Sequence, residues 1–289
     1  MPGTAASVTG AGAGAGAPAT RTVDEVLGRL RAIGAGLPPD DGVAVFNRMY
    51  LTVTDAVRRR LARPERSRGA PDRPGRPYFA DPAGMAELDV VFAGRYLLAL
   101  DAEAAGRPVP ACWRPLFALR AHRGVHPLQF ALAGMNAHIQ HDLPLAVLDT
   151  CRRLGCGPER LAGDYHRVND LLAGVETAVR EQLMPGPDAL ERAEPLTHLL
   201  GTWSVDTARE AAWATVRVLW QLRGVPSAAA ALAAALDTSV GLLGRALLTP
   251  LGPDRPRAGG AAPPADGPPA PERPAAGRLP VARNRPAVG

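Results

Sequence analysis

Pro127-Leu-Gln-Phe-Ala-Leu-Ala-Gly-Met-Asn-Ala-His-Ile-Gln-His-Asp142 is the stretch on which the fold turns. It opens with a proline at a first helical position, where the missing N–H costs nothing. At about 100° per residue, Leu128, Phe130, Leu132, Met135 and Ile139 cover much of the circumference of a helix. The remainder splits into two polar seams. Gly134, His138, His141 and Asp142 share one sector, and Gln129, Asn136 and Gln140 share a narrow sector nearly opposite. Such a helix belongs in a core, with its polar seams facing partners on other helices. Pro144 lacks the N–H that would reach the Gln140 carbonyl, so a kink or break is predicted there. The continuation should end at Gly155.

Outward from this segment, other helices are punctuated in the same way. Thr22 and Glu25 have capping-box spacing and start a helix to about Ala35. A second helix is predicted from about Gly42 to Leu61, with Val45, Phe46, Met49, Val53 and Val57 on one face. Asp81-Pro82 caps a third, to about Ala104, that is apolar nearly all round and therefore buried. Tyr165, Val168, Leu172, Val175, Val179 and Leu183 follow helical spacing, and further helices are expected over 189–203, 206–223 and 227–248. No long stretch alternates with period two. The prediction is an all-α, irregular multi-helix bundle of one domain over residues 22–249. Residues 1–21 read as a low-complexity tail, 63–77 as a mobile Arg/Pro-rich loop, and 250–289 as a Pro/Gly/Arg-rich tail too poor in apolar side chains to fold.

Composition removes several chemistries. The 289 residues carry a formal charge of +5, yet every positive side chain is Arg and none is Lys. A P-loop and pyridoxal phosphate both need a lysine, so both are excluded. The arginines are interleaved with acids, which argues against a nucleic-acid partner. Cys112, Cys151 and Cys156 form no Cys-x-x-Cys pair, which fits a reducing, cytoplasmic setting better than a disulfide framework. No cysteine has a histidine at a spacing that marks a thiol nucleophile. The Ala-rich stretch Ser227–Leu248 is the nearest thing to a membrane span, but Asp237 and Arg245 interrupt it, and it reads as a packed helix. The expectation is no membrane, with homo-oligomerisation through the C-terminal helices left open.

Phe46-Asn-Arg-Met-Tyr50, Leu88-Asp-Val-Val-Phe92, Gln129-Phe-Ala-Leu-Ala-Gly-Met-Asn-Ala-His138, Ile139-Gln-His-Asp-Leu-Pro144 and Arg167-Val-Asn169 together resemble domain-of-unknown-function family 5995, a mostly actinobacterial group. The likeness spans roughly residues 23–249. It implies a helical domain and carries over no activity and no catalytic residue.

The candidate chemistry is therefore read from the residues alone. An unpartnered buried polar group costs about 1–3 kcal/mol, against a net stability of about 5–15 kcal/mol, so the seams must find partners. Three readings stand side by side. In one, the His/Asp and Asn/Gln groups form a structural hydrogen-bond network that fixes helix register, in a non-catalytic interaction or scaffold protein whose Trp-bearing C-terminal helices make the contacts. In the second, His138 and His141 bind a divalent metal, completed by Asp89 or Asp142, for metal-assisted hydrolysis of a small molecule. In the third, His138 or His141 is a metal-free general base tuned by Asp142 or Asp89. The candidate catalytic residues are His138, His141 and Asp142. The candidate metal ligands are His138, His141 and Asp89, and Asn47, Asn136, Gln140 and Asn169 are supporting polar groups. Asp89, on an apolar helix, should pair with Arg48 or a histidine, and His126 reads as a helix N-terminal residue.

Overall fold

The computed structural model describes residues 20–62, 77–183 and 204–252, with side chains for all of them except 173–183. The expected tails, most of the 63–77 loop and the helix expected over 189–203 lie outside the described residues. Within them the chain is helical, with no β-strand. The helices are α1 (Val23–Gly36), α2 (Gly42–Ala62), α3 (Pro82–Ala104), α4 (Arg114–Leu119), α5 (Pro127–Met135), α6 (Leu143–Leu154), α7 (Glu159–Leu183), α8 (Val205–Gln221) and α9 (Pro226–Leu247). A π-helical segment, Asn136–Asp142, joins α5 to α6.

Local chemistry accounts for the ends. Thr22 Oγ1 accepts from Glu25 N–H, while the Glu25 carboxylate reaches back to Arg21 N–H, one residue beyond a standard capping box. Asp81 accepts from Gly84 N–H ahead of Pro82. His126 caps α5 in a reciprocal box with Gln129, which is a helix-terminal role, as its place in the sequence suggested. Gly155 ends α6 in the left-handed conformation, with φ of 61°. The short α4, before which the chain turns sharply at 110–113, has too few residues to show a period and was not anticipated.

The bend expected at Pro144 takes a particular form. Without an N–H at Pro144, the helix widens rather than breaks. Leu143 N–H donates to the carbonyl of His138, five residues back, and the π register runs through all of 136–142. Such stretches are rare and concentrate at functional sites. The wider turn also places Asp142 close above His138, four residues earlier.

Two apolar clusters flank this segment. One joins α1, α2, α3, α4, α5 and the end of α9 through Leu27, Leu30, Phe46, Tyr96, Trp113, Leu116, Phe130 and Leu248. The other joins α3, α6, α7 and α8 through Leu88, Leu143, Val147, Leu161, Tyr165, Trp213 and Val216. Leu61, Phe92 and Met135 touch both. Gly134 permits the central helix to lie tight against α2, since a Cβ there would fall 2.3 Å from the Phe46 ring.

α9 is packed more sparsely than its sequence led us to expect. Its buried residues are Val240, Gly241, Gly244 and Leu247, all in the C-terminal half, and Leu242 and Leu243 are exposed. By length and composition it could cross a membrane, and 17% of its most apolar window is buried. Gly241 sets the contact that matters. A Cβ there would lie 2.5 Å from the Ala111 carbonyl oxygen, so only glycine lets α9 seat against the turn before α4.

Candidate metal centre

Asp142 organises the polar seam. It is 2% exposed, and its two oxygens accept three hydrogen bonds. Oδ2 takes His138 Nδ1 at 3.0 Å and the Trp113 indole N–H at 3.0 Å, and Oδ1 takes His141 Nδ1 at 2.8 Å. Burial alone would raise the Asp142 pKa, but the bonds from both histidines more than offset it and hold the group below the usual carboxylate range. A charged Asp142 needs a donor on each facing nitrogen. Burial depresses the His138 pKa, keeping that ring neutral, so its single proton sits on Nδ1 and Nε2 is left as a lone pair. His141 turns its Nδ1 to Asp142 in the same way, which leaves Nε2 pointing away from that carboxylate.

His141 Nε2 faces Asp237 of α9, with Oδ1 at 3.7 Å. Asp237 is one turn before Gly241, and the close approach that Gly241 allows brings its carboxylate over the turn at 110–113. There its two oxygens accept Ala111 N–H and Cys112 N–H, each at 2.9 Å. Burial opposes its charge, while these backbone bonds, led by that of Cys112, bring its pKa below the ordinary value. The same turn carries Cys112, 2% exposed. Ligand atoms of Cys112, His141 and Asp237 all lie within 4.8 Å of one another. The Cys112 thiol pKa is pushed far up, first by burial and then by Asp142 and Asp237, so the thiol stays protonated. Among the described residues, no arginine pairs with Asp142 or Asp237.

The three residues read as catalytic from the sequence, His138, His141 and Asp142, are thus brought together by hydrogen bonds. The set read as metal ligands is divided. His141 offers Nε2 to the Cys112/Asp237 side, whereas the His138 ring is enclosed by aromatic side chains. Phe92 stacks on it at 3.6 Å and Tyr50 meets it edge-on at 4.5 Å. Asp89 belongs, among the described residues, to no group of three ligand-bearing side chains. Of the partners expected for it, Arg48 or a histidine, Arg48 donates instead to the Pro39 carbonyl, and among the described residues Asp89 Oδ2 has no hydrogen-bond partner.

The supporting amides act as anchors. Asn47 donates to the Leu30 carbonyl at 2.8 Å, and its Oδ1 receives Tyr96 Oη–H. Asn136 donates to the Val240 carbonyl at 3.0 Å, and Gln129 donates to the carbonyls of Leu247 and Thr249, so both hold the C-terminal half of α9 in place. Gln140 is only half-buried. Asn169 accepts from buried Arg209, between α7 and α8. A separate surface hollow between α7 and α8, lined by Glu159, Trp213, Arg217 and Trp220, holds none of the candidate ligands.

Cys112, Trp113 and Asp237 were not found from the sequence. Asp237 had registered only as an interruption of an apolar helix. A lone carboxylate on such a helix is itself a signal that it meets donors or a cation.

Fold and site together define an all-helical protein with a buried His/Asp seam opening onto a Cys/His/Asp cluster. The chain belongs to the family of unknown function (DUF5995), whose model matches residues 23–250. Neither the curated proteins nor the solved structures contain a match.

Proposed function

We propose that the protein is a divalent-metal-dependent hydrolase of a small molecule, with Cys112, His141 and Asp237 as metal ligands. The observation that carries this reading is the 3.7 Å separation of His141 Nε2 and Asp237 Oδ1, with Cys112 Sγ in the same cluster. That spacing is too long for a hydrogen bond. Zinc bonds of about 2.0–2.1 Å to N and O and about 2.3 Å to S separate tetrahedral ligands by roughly 3.3–3.8 Å. Asp142 fits the part of the carboxylate that fixes the tautomer and orientation of a ligating histidine. Trp113 and His138 in turn hold Asp142.

Charge supports a cation. Two carboxylates with depressed pKa values and, among the described residues, no arginine partner surround a thiol that burial first, and then their charge, keeps protonated. A thiolate nucleophile is disfavoured by the same surroundings. A divalent ion reverses the balance, because a coordinating thiol is deprotonated outright. Three protein ligands leave a fourth position open, which is the pattern of catalytic rather than structural zinc sites. The chemistry such an ion supplies is an activated water and a polarised carbonyl or phosphoryl oxygen. The chain itself supplies the orientation of His141 by Asp142 and the seating of Asp237 by the backbone of 111–112.

A structural reading draws support from the three hydrogen bonds that Asp142 already accepts. There the seam fixes helix register and the protein binds partners, with the Trp213/Trp220 hollow as a contact face. Elemental analysis of untagged protein separates the two. The metal reading expects close to one transition-metal ion per chain, lost in His141→Ala and Asp237→Asn, and chelator-sensitive cleavage within a panel of ester, amide and phosphoester substrates. Wild-type protein that takes up no metal after incubation with zinc removes the hydrolase reading.

A further inference from the structure

The corner between α6 and α7 holds two thiols in contact. Gly155 ends α6 with the two hydrogen bonds of a Schellman turn. Gly155 N–H donates to the Arg152 carbonyl at 3.4 Å, and Cys156 N–H donates to the Cys151 carbonyl at 3.0 Å. Such a turn folds the residue after the glycine onto the last turn of the helix, where the two side chains meet. Here both positions are cysteine, so the contact is sulfur on sulfur. The Cys151 thiol is close enough to share a hydrogen bond with Cys156. The spacing Cys-x-x-x-x-Cys announces nothing in the sequence; the helix end creates the pair.

The two sulfurs are placed differently. Cys151 is 1% exposed and packs in the apolar cluster of α6, α7 and α8. Cys156 is half-buried, beside exposed Gly155. A Cβ on Gly157 would lie 3.8 Å from the Trp220 ring, and Pro158 and Glu159 line the hollow of about 430 Å³ that Trp220 shares with Trp213. Cys156 therefore sits at the lip of an open space, with Cys151 behind it. Among the described residues, no histidine or carboxylate joins the pair in a three-ligand group. What two such thiols offer is redox chemistry rather than metal binding.

We propose that Cys151 and Cys156 form a reversible redox site, oxidised by a small hydroperoxide to a disulfide within the chain. The Cys156 sulfur attacks the peroxide and the O–O bond breaks. Cys156 becomes a sulfenic acid, and the hydroperoxide leaves as an alcohol, or as water from hydrogen peroxide. The Cys151 sulfur then attacks that of Cys156, and the S–O bond breaks. Burial, and then the neighbouring Cys156, push the Cys151 thiol up to about 12, so its proton stays in place until it leaves with the oxygen as water. Two electrons pass from the thiol pair to the peroxide, and a dithiol reductant reverses the change. The backbone bond already holds the two residues within the span of a disulfide, so neither helix has to move. Cys112 lies in the other apolar cluster, and the pair stands or falls independently of the metal reading.

Treatment of the full, metal-free chain with hydrogen peroxide, followed by alkylation after denaturation and peptide mapping by mass spectrometry, tests this. The expected product links Cys151 to Cys156 within one chain, reverts with dithiothreitol, and leaves Cys112 open to alkylation. In Cys151→Ser the sulfenic acid at Cys156 should persist and be captured by dimedone. In Cys156→Ser, oxidation at Cys151 should be roughly tenfold or more slower than at Cys156 in the wild type. Circular dichroism checks that both variants are folded. Folded wild type that keeps both thiols free in excess peroxide overturns the proposal. So does Cys156 that passes to the sulfinic acid while Cys151 stays free, or a disulfide that joins two chains.

Discussion

Replacing Asp142 with Asn tests the organisation of the seam, because it preserves shape while removing charge and one acceptor. In the wild type the carboxylate accepts from His138, Trp113 and His141. With Asn, the amide oxygen can still serve Trp113 and His138, but the amide NH2 then faces His141 Nδ1. That nitrogen must become an acceptor, so the imidazole proton moves to Nε2, the atom facing Asp237 at 3.7 Å. Hydrogen bonds to charged groups contribute about 1.5–3 kcal/mol each. Two retained in neutral form and one rebuilt in reverse imply a stability loss of roughly 2–4 kcal/mol. Loss of a carboxylate behind a ligating histidine should lower metal affinity about 10–100-fold. Urea unfolding gives the first quantity, zinc competition with a chromophoric chelator the second, and imidazole 15N shifts the tautomer. A folded Asp142→Asn protein whose zinc affinity is unchanged would refute the reasoning.

Asp89 should respond to pH in the opposite sense to Asp142. Its folded pKa of about 7 lies above the unfolded value of about 3.9, so the folded state holds the proton more tightly and its contribution is lost as pH rises from about 4 to 7. In metal-free buffer, Asp89→Asn should therefore be more stable than wild type at about pH 8 by roughly 1–3 kcal/mol and show a flatter pH profile between those limits; a variant less stable at that pH contradicts the unpartnered carboxylate. Asp142, with its depressed pKa, contributes stability above about 3.9 that disappears at lower pH, and acid unfolding curves of Asp142→Asn should lose that component. Gly134→Ala forces a Cβ to within 2.3 Å of the Phe46 ring and should cost about 1–3 kcal/mol in thermal unfolding, whereas no change would mean that α2 yields freely. Trp113→Phe keeps the aromatic packing but removes one bond to Asp142; it should cost about 1.5–3 kcal/mol and lower zinc affinity less than Asp142→Asn does, and a larger effect on zinc than that of Asp142→Asn would contradict the order of the relay.

Much of the architecture was legible because helix ends carry their own chemistry. Thr22, Asp81-Pro82, Pro127 and Gly155 mark boundaries by local hydrogen bonding, and the apolar girth of α3 announces its burial. The seam at 138–142 was legible too, since buried polar residues on a core helix must be partnered. Spacing could not show which partners they meet. Cys112 and Trp113 lie about thirty residues earlier and Asp237 almost a hundred later, and their convergence depends on Gly241 letting α9 touch the turn before α4. Pro144 signalled a disturbed helix, but the choice between a kink and a π-helical run rests on how the neighbouring helices pack. Asp89 was expected to pair with Arg48 or a histidine, yet Arg48 turns to the Pro39 carbonyl instead, a choice set by the fold around α2 and not by spacing.

The central claim is that Cys112, His141 and Asp237 together hold a divalent ion. X-ray absorption of the zinc-loaded protein tests it most directly. The account predicts one sulfur scatterer at about 2.3 Å with nitrogen and oxygen neighbours at about 2.0–2.1 Å, the sulfur disappearing in Cys112→Ser. A zinc shell of nitrogen and oxygen alone in the wild type, or the same shell in wild type and Cys112→Ser, would contradict it.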